Sequence, residues 1–415
     1  MNVSYITLRP HDPVIARDGR PFSAGIRMKS LDWPYPSVLA GSVRTALGKM
    51  KMSSGSANQS AFGQPEVAAL KDVVVHGPLP LVSNTLYFPA PKDILVKDSD
   101  GKCDETYAIR PSPLEEGEGC DLPDGLQQPP MLSSRAQDEF KPAAIASFWS
   151  VDTMASWLVN PDGLRFEAPK VSDNGEKIPE GLDQPCKDSR FHSEINRDRG
   201  VAEDSRLFET IGLDLSLKNN PEGIRLSARI ETEARNHYAN PEFGTFGAFG
   251  GERRLTYFKT DSDRPDGWEC PGKVVNALKS ATLIRMILAT PAVFYQGWLP
   301  GWIDKKTLTG TPTCIPDNSA EKICLKLDSA CVDRWKPLSG FNLEDGKPKA
   351  LRRVVPAGSV YFFEIESGKS SDLAQYWLQP VSDTLQDRKD GFGLALWGIW
   401  DYEQNTGSTG KKQED

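Results

Sequence analysis

Histidine is the side chain most often used for acid–base chemistry near neutral pH, and this 415-residue chain has His11, His76, His192 and His237. A catalytic histidine needs a positioned partner and a pKa that suits the reaction. The spacing of the neighbouring residues supplies no such partner, and no metal-binding spacing or Gly-x-Ser-x-Gly motif occurs. We therefore predict a structural or binding role for each histidine, with no catalytic residue, metal or cofactor.

The cysteine content and the hydropathy pattern indicate where the protein works. The seven cysteines are odd in number and include no Cys-x-x-Cys pair; they are Cys103, Cys120, Cys186, Cys270, Cys314, Cys324 and Cys331. Disulfide frameworks and zinc sites normally show such patterns, so we expect reduced, mostly buried thiols. The sequence has no apolar run of about 18 residues and no leader-like N-terminus. These features predict a cytoplasmic protein without membrane contact.

A basic loop beside a predicted helix is the first candidate binding site. Arg17 and Arg20 lie in the segment Arg-Asp-Gly-Arg-Pro-Phe, and the helix that follows from Pro36 carries Ser37 and Arg44. Free backbone N–H groups and the helix dipole attract phosphate at a helix N-terminus. The pattern is therefore typical of a phosphate site, although an ordinary capped helix beside an arginine-rich loop has the same residues.

Two glycine-rich turns are further candidates. Residues 244–251 precede Arg253 and Arg254, and their spacing matches neither a P-loop nor a dinucleotide fingerprint. Such a turn can form an anion-binding nest, or simply a loop between strands. Arg388 and Lys389 precede Gly391 and Gly393, where the glycines indicate either a close backbone approach or a bulge.

Charge is distributed unevenly along the chain. The formal net charge is −8, from 49 basic and 57 acidic residues. Residues 1–52 nevertheless hold eight Lys and Arg against three Asp and Glu, whereas residues 97–125 hold three against nine. Local charge decides what a surface binds, so the N-terminal face is suited to a polyanion. The acidic segment is predicted to be a solvated loop within a surface insertion at residues 97–147.

The hydrophobic pattern predicts an α+β fold. Strand, helix, strand, strand, helix, strand is the ferredoxin-like order, with helices predicted at about residues 36–52 and 148–159. Residues 190–215 read as a long β-hairpin around Asp198-Arg199-Gly200. A second unit begins near residue 273 and ends in a polar tail. The tryptophans around Trp298 and Trp302 are predicted to lie mainly in the core or an interface, with base stacking as the alternative.

Several blocks in the same order resemble one protein family. They are residues 16–25, 34–44, 197–208, 250–254, 355–363 and 391–396, and they include Ala-Arg-Asp-Gly-Arg-Pro-Phe-Ser-Ala-Gly at the first block and Gly-Gly-Glu-Arg-Arg at the fourth. Together they resemble the third subunit of the Cmr effector complex of type III-B CRISPR-Cas systems, a RAMP-superfamily family. Residues 53–70, 97–147, 304–322 and the tail have no counterpart among these blocks.

The resemblance implies a fold, a function and partners. It implies two ferredoxin-like, RRM-like domains, expected at residues 1–272 and 273–415, with a long hairpin and irregular insertions. It implies a non-catalytic subunit that caps the 5′ repeat-derived tag of the CRISPR RNA in antiviral defence. Its partners would be that RNA, the large polymerase-like subunit and the backbone RAMP subunit, with target RNA contacted indirectly.

The motifs and the family resemblance together predict a set of RNA-binding residues. They are Arg17, Arg20, Lys29, Ser37, Arg44, His192, Arg197, Arg253, Arg254, Arg388 and Lys389. Two alternatives stay open at this point. One is a RAMP endoribonuclease that processes precursor CRISPR RNA through His11 or His192, and the other is a protein scaffold whose basic face meets acidic protein.

Overall fold

Two antiparallel sheets form the body of the protein in a computed structural model. The structure describes residues 2–17, 30–54, 66–99, 102–114, 116–123, 125–126, 128–132, 140–161, 164, 170–171, 177–217, 220–236, 238–317, 322–342 and 346–401. Arg20, Lys29, His237 and the tail after residue 401 lie outside these residues. In the described part of the chain, no helix is long and apolar enough to cross a membrane.

The elements follow one another in this order. In the first half they are β1 (Asn2–Pro10), α1 (Pro36–Ser54), α2 (Glu66–Lys71), β2 (Val74–Val82), β3 (Thr85–Pro89), β4 (Ile94–Ser99), β5 (Lys102–Pro111), β6 (Pro130–Leu132), β7 (Phe148–Ser150), α3 (Val151–Val159), β8 (Lys170–Val171), β9 (Lys177–Ile178), β10 (Gly181–Leu182), β11 (Cys186–Ile195) and β12 (Ala202–Asp214). In the second half they are β13 (Arg225–Thr232), β14 (Gly244–Ala248), a 3-10 helix (Gly251–Arg253), β15 (Leu255–Thr260), α4 (Gly272–Leu278), β16 (Leu283–Leu288), β17 (Thr309–Gly310), β18 (Cys324–Cys331), β19 (Lys336–Leu338), β20 (Phe341–Asn342), β21 (Lys347–Pro348), β22 (Arg352–Val354), β23 (Val360–Ser367), a second 3-10 helix (Ser370–Tyr376), β24 (Gln379–Pro380), α5 (Leu385–Lys389) and β25 (Leu394–Ile399).

The first sheet has eight strands in the order β10-β7-β3-β2-β13-β1-β15-β14. Its strands alternate as half-buried strands do: Ile6 and Leu8 of β1 are fully buried, whereas Val3 and Arg9 are exposed. Helix α1 lies on the buried face and contacts β2. Leu39, Val43 and Leu47 are spaced by one helical turn, and all three are buried there.

The second sheet has six strands in the order β17-β18-β23-β16-β25-β24. Its central strand β16 is buried on both faces, from Ile284 through Leu288. Four neighbouring strands of this sheet, β18-β23-β16-β25, have the same topology as β2-β13-β1-β15 of the first sheet. In each set, the strands that lie side by side are the second, third, first and fourth of the set in chain order. The chain is therefore α+β, as predicted, and rich in strands.

Two predicted elements differ from the structure. Residues 148–150 of the second predicted helix form β7, and the helix that follows, α3, packs against α4 and β25 of the second sheet. Ser150 caps this helix by accepting a hydrogen bond from the Thr153 amide. The glycine-rich residues 244–248, predicted as a turn, form the edge strand β14. The predicted hairpin is present as β11 and β12.

The expectation of a solvated acidic loop at residues 97–125 is wrong for much of that segment. Strands β4, β5 and β6 form a three-stranded sheet that contacts β18. Val96, Ala108 and Arg110 are buried, whereas residues 116–121, 123 and 125 lie at the surface. Net charge averages over both faces of a strand, so it did not reveal the alternation of inward and outward side chains.

A buried ion pair joins the segment between β3 and β4 to strand β16 of the second sheet. Asp93, which directly precedes β4, accepts a hydrogen bond of 2.7 Å from Arg285 of β16, and both side chains are almost fully buried. Trp157 of α3 donates to the other Asp93 oxygen at 2.9 Å, and its carbonyl accepts from Arg285. The Arg285 guanidinium also lies 5.4 Å from the Trp157 ring centroid. Each charged group therefore has partners away from water, which a buried charge requires.

We predict that Asp93→Ala destabilises the protein by about 3–5 kcal/mol, because it leaves the Arg285 charge buried and unpaired. Chemical denaturation followed by tryptophan fluorescence measures the effect. The neighbouring Lys92→Ala is the control: its half-exposed pair with Asp333 should contribute less than about 1 kcal/mol. Equal midpoints for the two variants would show that the pair does not hold the sheets together.

Candidate nucleic-acid interface

The segment that follows β1 is held against the base of the hairpin. Val14 exchanges two backbone hydrogen bonds with Leu213 of β12, at 2.9 and 2.8 Å. Gly212 packs directly on Pro13, where an added Cβ would lie 2.6 Å from the proline Cβ. The hairpin is thus anchored on residues 13–14 while its far end, residues 197–201, is exposed.

The glycine-rich turn after β14 holds the same segment from the other side. Gly251 donates a 2.7 Å hydrogen bond from its amide to the Ile15 carbonyl. At Gly250, φ is +73° and an added Cβ would lie 2.4 Å from that carbonyl oxygen, so only glycine fits. This contact brings Arg253 and Arg254, predicted to bind a polyanion, beside the segment that carries Arg17.

The arginines gathered here differ in exposure. Arg17 is exposed and pairs through its backbone with Ser30, whose hydroxyl donates to the Ala16 carbonyl at 3.2 Å. Arg253 is exposed and Arg254 is partly buried, with no hydrogen-bond partner for its buried Nε. We name Arg17, Arg253 and Arg254 the arginine cluster. Their predicted neighbours Arg20 and Lys29 lie outside the described residues.

The hairpin carries two further predicted residues. His192 stacks on Phe208 of the opposite strand, with ring centroids 5.2 Å apart, and its Nε2 lies 2.8 Å from the Thr210 hydroxyl. Arg197 is exposed in the turn, where the Asn196 side chain accepts hydrogen bonds from the amides of Asp198 and Arg199. The turn is therefore ordered by its own side chain and presents Arg197 to solvent.

Arg44 and Ser37 serve the helix and its contacts. Arg44 donates to the Val73 carbonyl at 2.8 Å and to the Asp390 carboxylate at 2.5 Å, and its side chain is 12% exposed. These partners occupy the guanidinium from two directions, which speaks against a phosphate ligand at this position. Ser37 is partly buried in the first turn of α1.

The second basic turn fastens the two sheets together. Arg388 donates to the carbonyls of Ser382 and Asp383, and Lys389 forms a 2.7 Å ion pair with Asp72. Gly391, with φ +88°, lies so close to β2 that an added Cβ would be 2.6 Å from the Val75 carbonyl. Of the two interpretations of these glycines, the close backbone approach is the one observed at Gly391.

His76, His11 and the tryptophan cluster each pack against other side chains of the fold. His76 is buried and lies 2.7 Å from Arg229 through Nδ1; burial first, and the Arg229 charge second, hold its pKa well below the ordinary value. His11 is exposed and packs on Phe246. Trp302 packs on Phe363 with ring centroids 5.7 Å apart, as the core interpretation predicts.

No group of three or more His, Cys, Asp or Glu side chains in the described ranges is arranged to hold a metal ion. The arrangement therefore defines a class of protein: a strand-rich α+β protein whose surface gathers basic side chains and an exposed hairpin around residues 13–17.

Comparison with known proteins identifies the family. The model of the family described as CRISPR-associated protein (Cas_Cmr3) matches residues 6–400, and the chain belongs to this family. The resemblance predicted from the sequence blocks is therefore confirmed, and the protein is a member of the Cmr3 family of CRISPR-associated proteins.

Two chains of solved type III CRISPR complexes are similar to this chain at low sequence identity. One chain of the type III-B Cmr-beta complex bound to cognate target RNA is 11% identical, with a TM-score of 0.45 over 94% of this chain and 96% of that one. A chain from the Csm3-Csm4 subcomplex of the type III-A CRISPR-Cas interference complex is 10% identical, with a TM-score of 0.36 over 96% and 100%. No curated protein matches this chain.

We predict that Gly250→Ala loosens the arginine cluster. The new methyl group would clash with the Ile15 carbonyl, and φ at this position is positive. The variant should therefore lose about 1–3 kcal/mol of stability, and the turn should move away from Ile15. Thermal denaturation, with amide hydrogen exchange at Gly251, measures both effects. Gly41→Ala is the control. A Cβ added at this exposed position of α1 has no atom within 4 Å, so this substitution should increase the stability of the protein by roughly 0.5–1 kcal/mol. An unchanged exchange rate at Gly251 would contradict the prediction.

Proposed function

We propose that this protein is a non-catalytic RNA-binding subunit of a type III-B CRISPR effector complex, and that it caps the 5′ tag of the CRISPR RNA. One observation carries the proposal. Arg17, the Arg253–Arg254 turn and the base of the hairpin, which are far apart in sequence, meet at residues 13–17. Membership of the Cas_Cmr3 family supports the same function.

The fold supports an RNA-binding architecture. We interpret β2-β13-β1-β15 and β18-β23-β16-β25 as two ferredoxin-like sheets, in domains at residues 1–272 and 273–415. Helix α3, from the first of these domains, contacts the second sheet. The two domains would then act as one rigid support for the arginine cluster.

The arrangement suits the end of a single strand. The arginine cluster supplies positive charge at the foot of the hairpin, and Arg197 supplies more at its far end. Single-stranded RNA exposes both its phosphates and its bases, so the cluster would hold the phosphates while the hairpin separates neighbouring bases. The exposed apolar residues of the hairpin, Phe191 and Leu207, provide a surface for the adjacent backbone subunit.

The wider setting follows from the family. The protein would bridge the large polymerase-like subunit to the backbone RAMP subunit in the cytoplasm, and would meet target RNA only through the guide.

Acid–base geometry does not favour the nuclease alternative. The His192 ring nitrogen faces the Thr210 hydroxyl, and His11 packs on Phe246. Neither contact provides the positioned partner that general acid–base catalysis needs. Purified protein should leave repeat RNA intact with Mg²⁺ and with chelator; cleavage that disappears in His11→Ala or His192→Ala would establish the endoribonuclease instead.

We predict that Arg17→Ala combined with Arg253→Ala weakens binding of tag-bearing guide RNA and lowers its salt dependence. Each lost phosphate contact reduces the slope of log K against log salt by about 0.7 for a single strand, so the double variant should lose about one to two units. Fluorescence anisotropy at several salt concentrations measures the slope.

The matched control is Lys279→Ala with Lys305→Ala, which removes two exposed positive charges from the second sheet's surroundings. Its slope should equal that of the wild type. A lowered melting temperature with an unchanged slope in the arginine variant would mean that the cluster is structural. Equal tag protection in all three assembled complexes would place the 5′ end elsewhere on the subunit.

A further inference from the structure

A row of aromatic and basic side chains crosses strands β14, β15 and β1 at one edge of the first sheet. Phe246 of β14, Tyr257 of β15 and Arg9 of β1 lie directly opposite one another in register. The Phe246 and Tyr257 ring centroids are 5.0 Å apart, and His11 packs 5.3 Å from Phe246. We name these four residues the aromatic row.

The aromatic row is at the surface although it is largely apolar. Phe246 is 54% exposed and Leu255, beside it, is 47% exposed. The core needs neither of them, because Leu8 and Phe258 on the opposite face of the same strands are fully buried. Gly244 has only the Tyr257 hydroxyl near its missing Cβ, at 4.0 Å, so the face beside Tyr257 is open to a flat ligand.

The charges on this face are mixed, and the carboxylates have partners. Arg9 and Lys259 are exposed cations. Asp261 accepts a 2.9 Å hydrogen bond from Thr7, and burial raises its pKa; Glu222 forms a 3.0 Å ion pair with Arg225. Arg9 also makes a long contact, 3.4 Å, with the Pro221 carbonyl. The exposed cations leave the row attractive to an anion.

The aromatic row is continuous with the arginine cluster. Strand β15 begins directly after Arg254, and the His11 amide donates to the Leu255 carbonyl at 3.0 Å. A single-stranded RNA bound by the arginine cluster would therefore reach the aromatic row, which begins only a few amino-acid residues further along the same edge of the sheet.

We propose that the aromatic row is a base-stacking platform for single-stranded RNA that leaves the arginine cluster. Aromatic faces stack on any base, and exposed aromatic side chains on a sheet are a known way to hold unpaired RNA. The occupant's identity as guide RNA rests on the proposed function; the stacking itself rests on the row. A protein partner would be the other occupant of such a patch, but adjacent aromatic rings with an exposed cation, beside a basic cluster, favour RNA.

The test uses full-length protein and a short single-stranded RNA that carries a fluorescent adenine analogue quenched by stacking. With wild-type protein, emission should fall on binding. Phe246→Ala should reduce affinity between about fivefold and about 100-fold with loss of quenching and an unchanged salt slope, as expected for a lost stacking contact. Phe246→Trp should restore both. Tyr295→Ala, which removes an aromatic side chain that is 78% exposed elsewhere, is the control and should bind like the wild type.

The outcomes separate this inference from the proposed function. If wild-type protein binds the RNA and Phe246→Ala binds it equally well with full quenching, the platform is overturned while the arginine cluster stands. If Phe246→Ala keeps its RNA affinity but no longer assembles with a neighbouring subunit, the row is a protein interface and the inference is wrong. If Phe246→Ala and Phe246→Trp are equally defective, stacking is not the cause and the inference also fails. Absence of RNA binding by the wild type would overturn the proposed function as well.

Discussion

The buried Asp93–Arg285 pair is the interaction on which the arrangement of this protein depends. It removes two opposite charges from water in the middle of the molecule, a step that is costly unless every lone pair and proton finds a partner. Trp157 adds its indole N–H and its carbonyl, and among the described residues only the Arg285 Nε of this group has no hydrogen-bond partner. The three residues come from the start of β4, from β16 and from α3. Their contacts therefore hold the segment before β4 and helix α3 against the second sheet.

Other polar contacts repeat the same pattern around this centre. Arg229 of β13 donates to the Leu378 carbonyl near β24 and lies against His76. Arg44 of α1 reaches Asp390 at the end of α5. Directional contacts between the two halves restrict their relative orientation more than an apolar interface does, since each angle has an optimum. When the relative orientation of the two halves is fixed, the positions of the surface charges depend on the conformations of short loops and not on movements of whole domains.

The sequence was informative where the signal is local. The helix from Pro36 and the hairpin follow from periodicity and turn residues, and the ordered motif blocks identify the family. Hydrophobic periodicity did not predict the edge strand at residues 244–248, because glycines occupy part of it. Local charge wrongly predicted a solvated loop at β5, where Ala108 and Arg110 are buried. Of the predicted basic residues, Arg44, Arg388 and Lys389 turned out to bind within the protein. Their partners are distant in sequence, such as Asp72 for Lys389, so no local pattern could have revealed them.

This division among the basic residues also explains how a chain of net charge −8 can offer a surface to a polyanion. Arginines whose charge meets a carboxylate inside the fold, such as Arg285 with Asp93 and Arg44 with Asp390, add little to the external field. Arg253 and Arg17 lie at the surface, where their charges act on a ligand within about one Debye length, or roughly 8 Å at physiological salt. The acidic residues 116–121 lie in a different segment, connected to the strands that contact β18. Net charge therefore sets the solubility of this protein, whereas backbone contacts such as the one between Gly251 and Ile15 decide where its positive charge is concentrated.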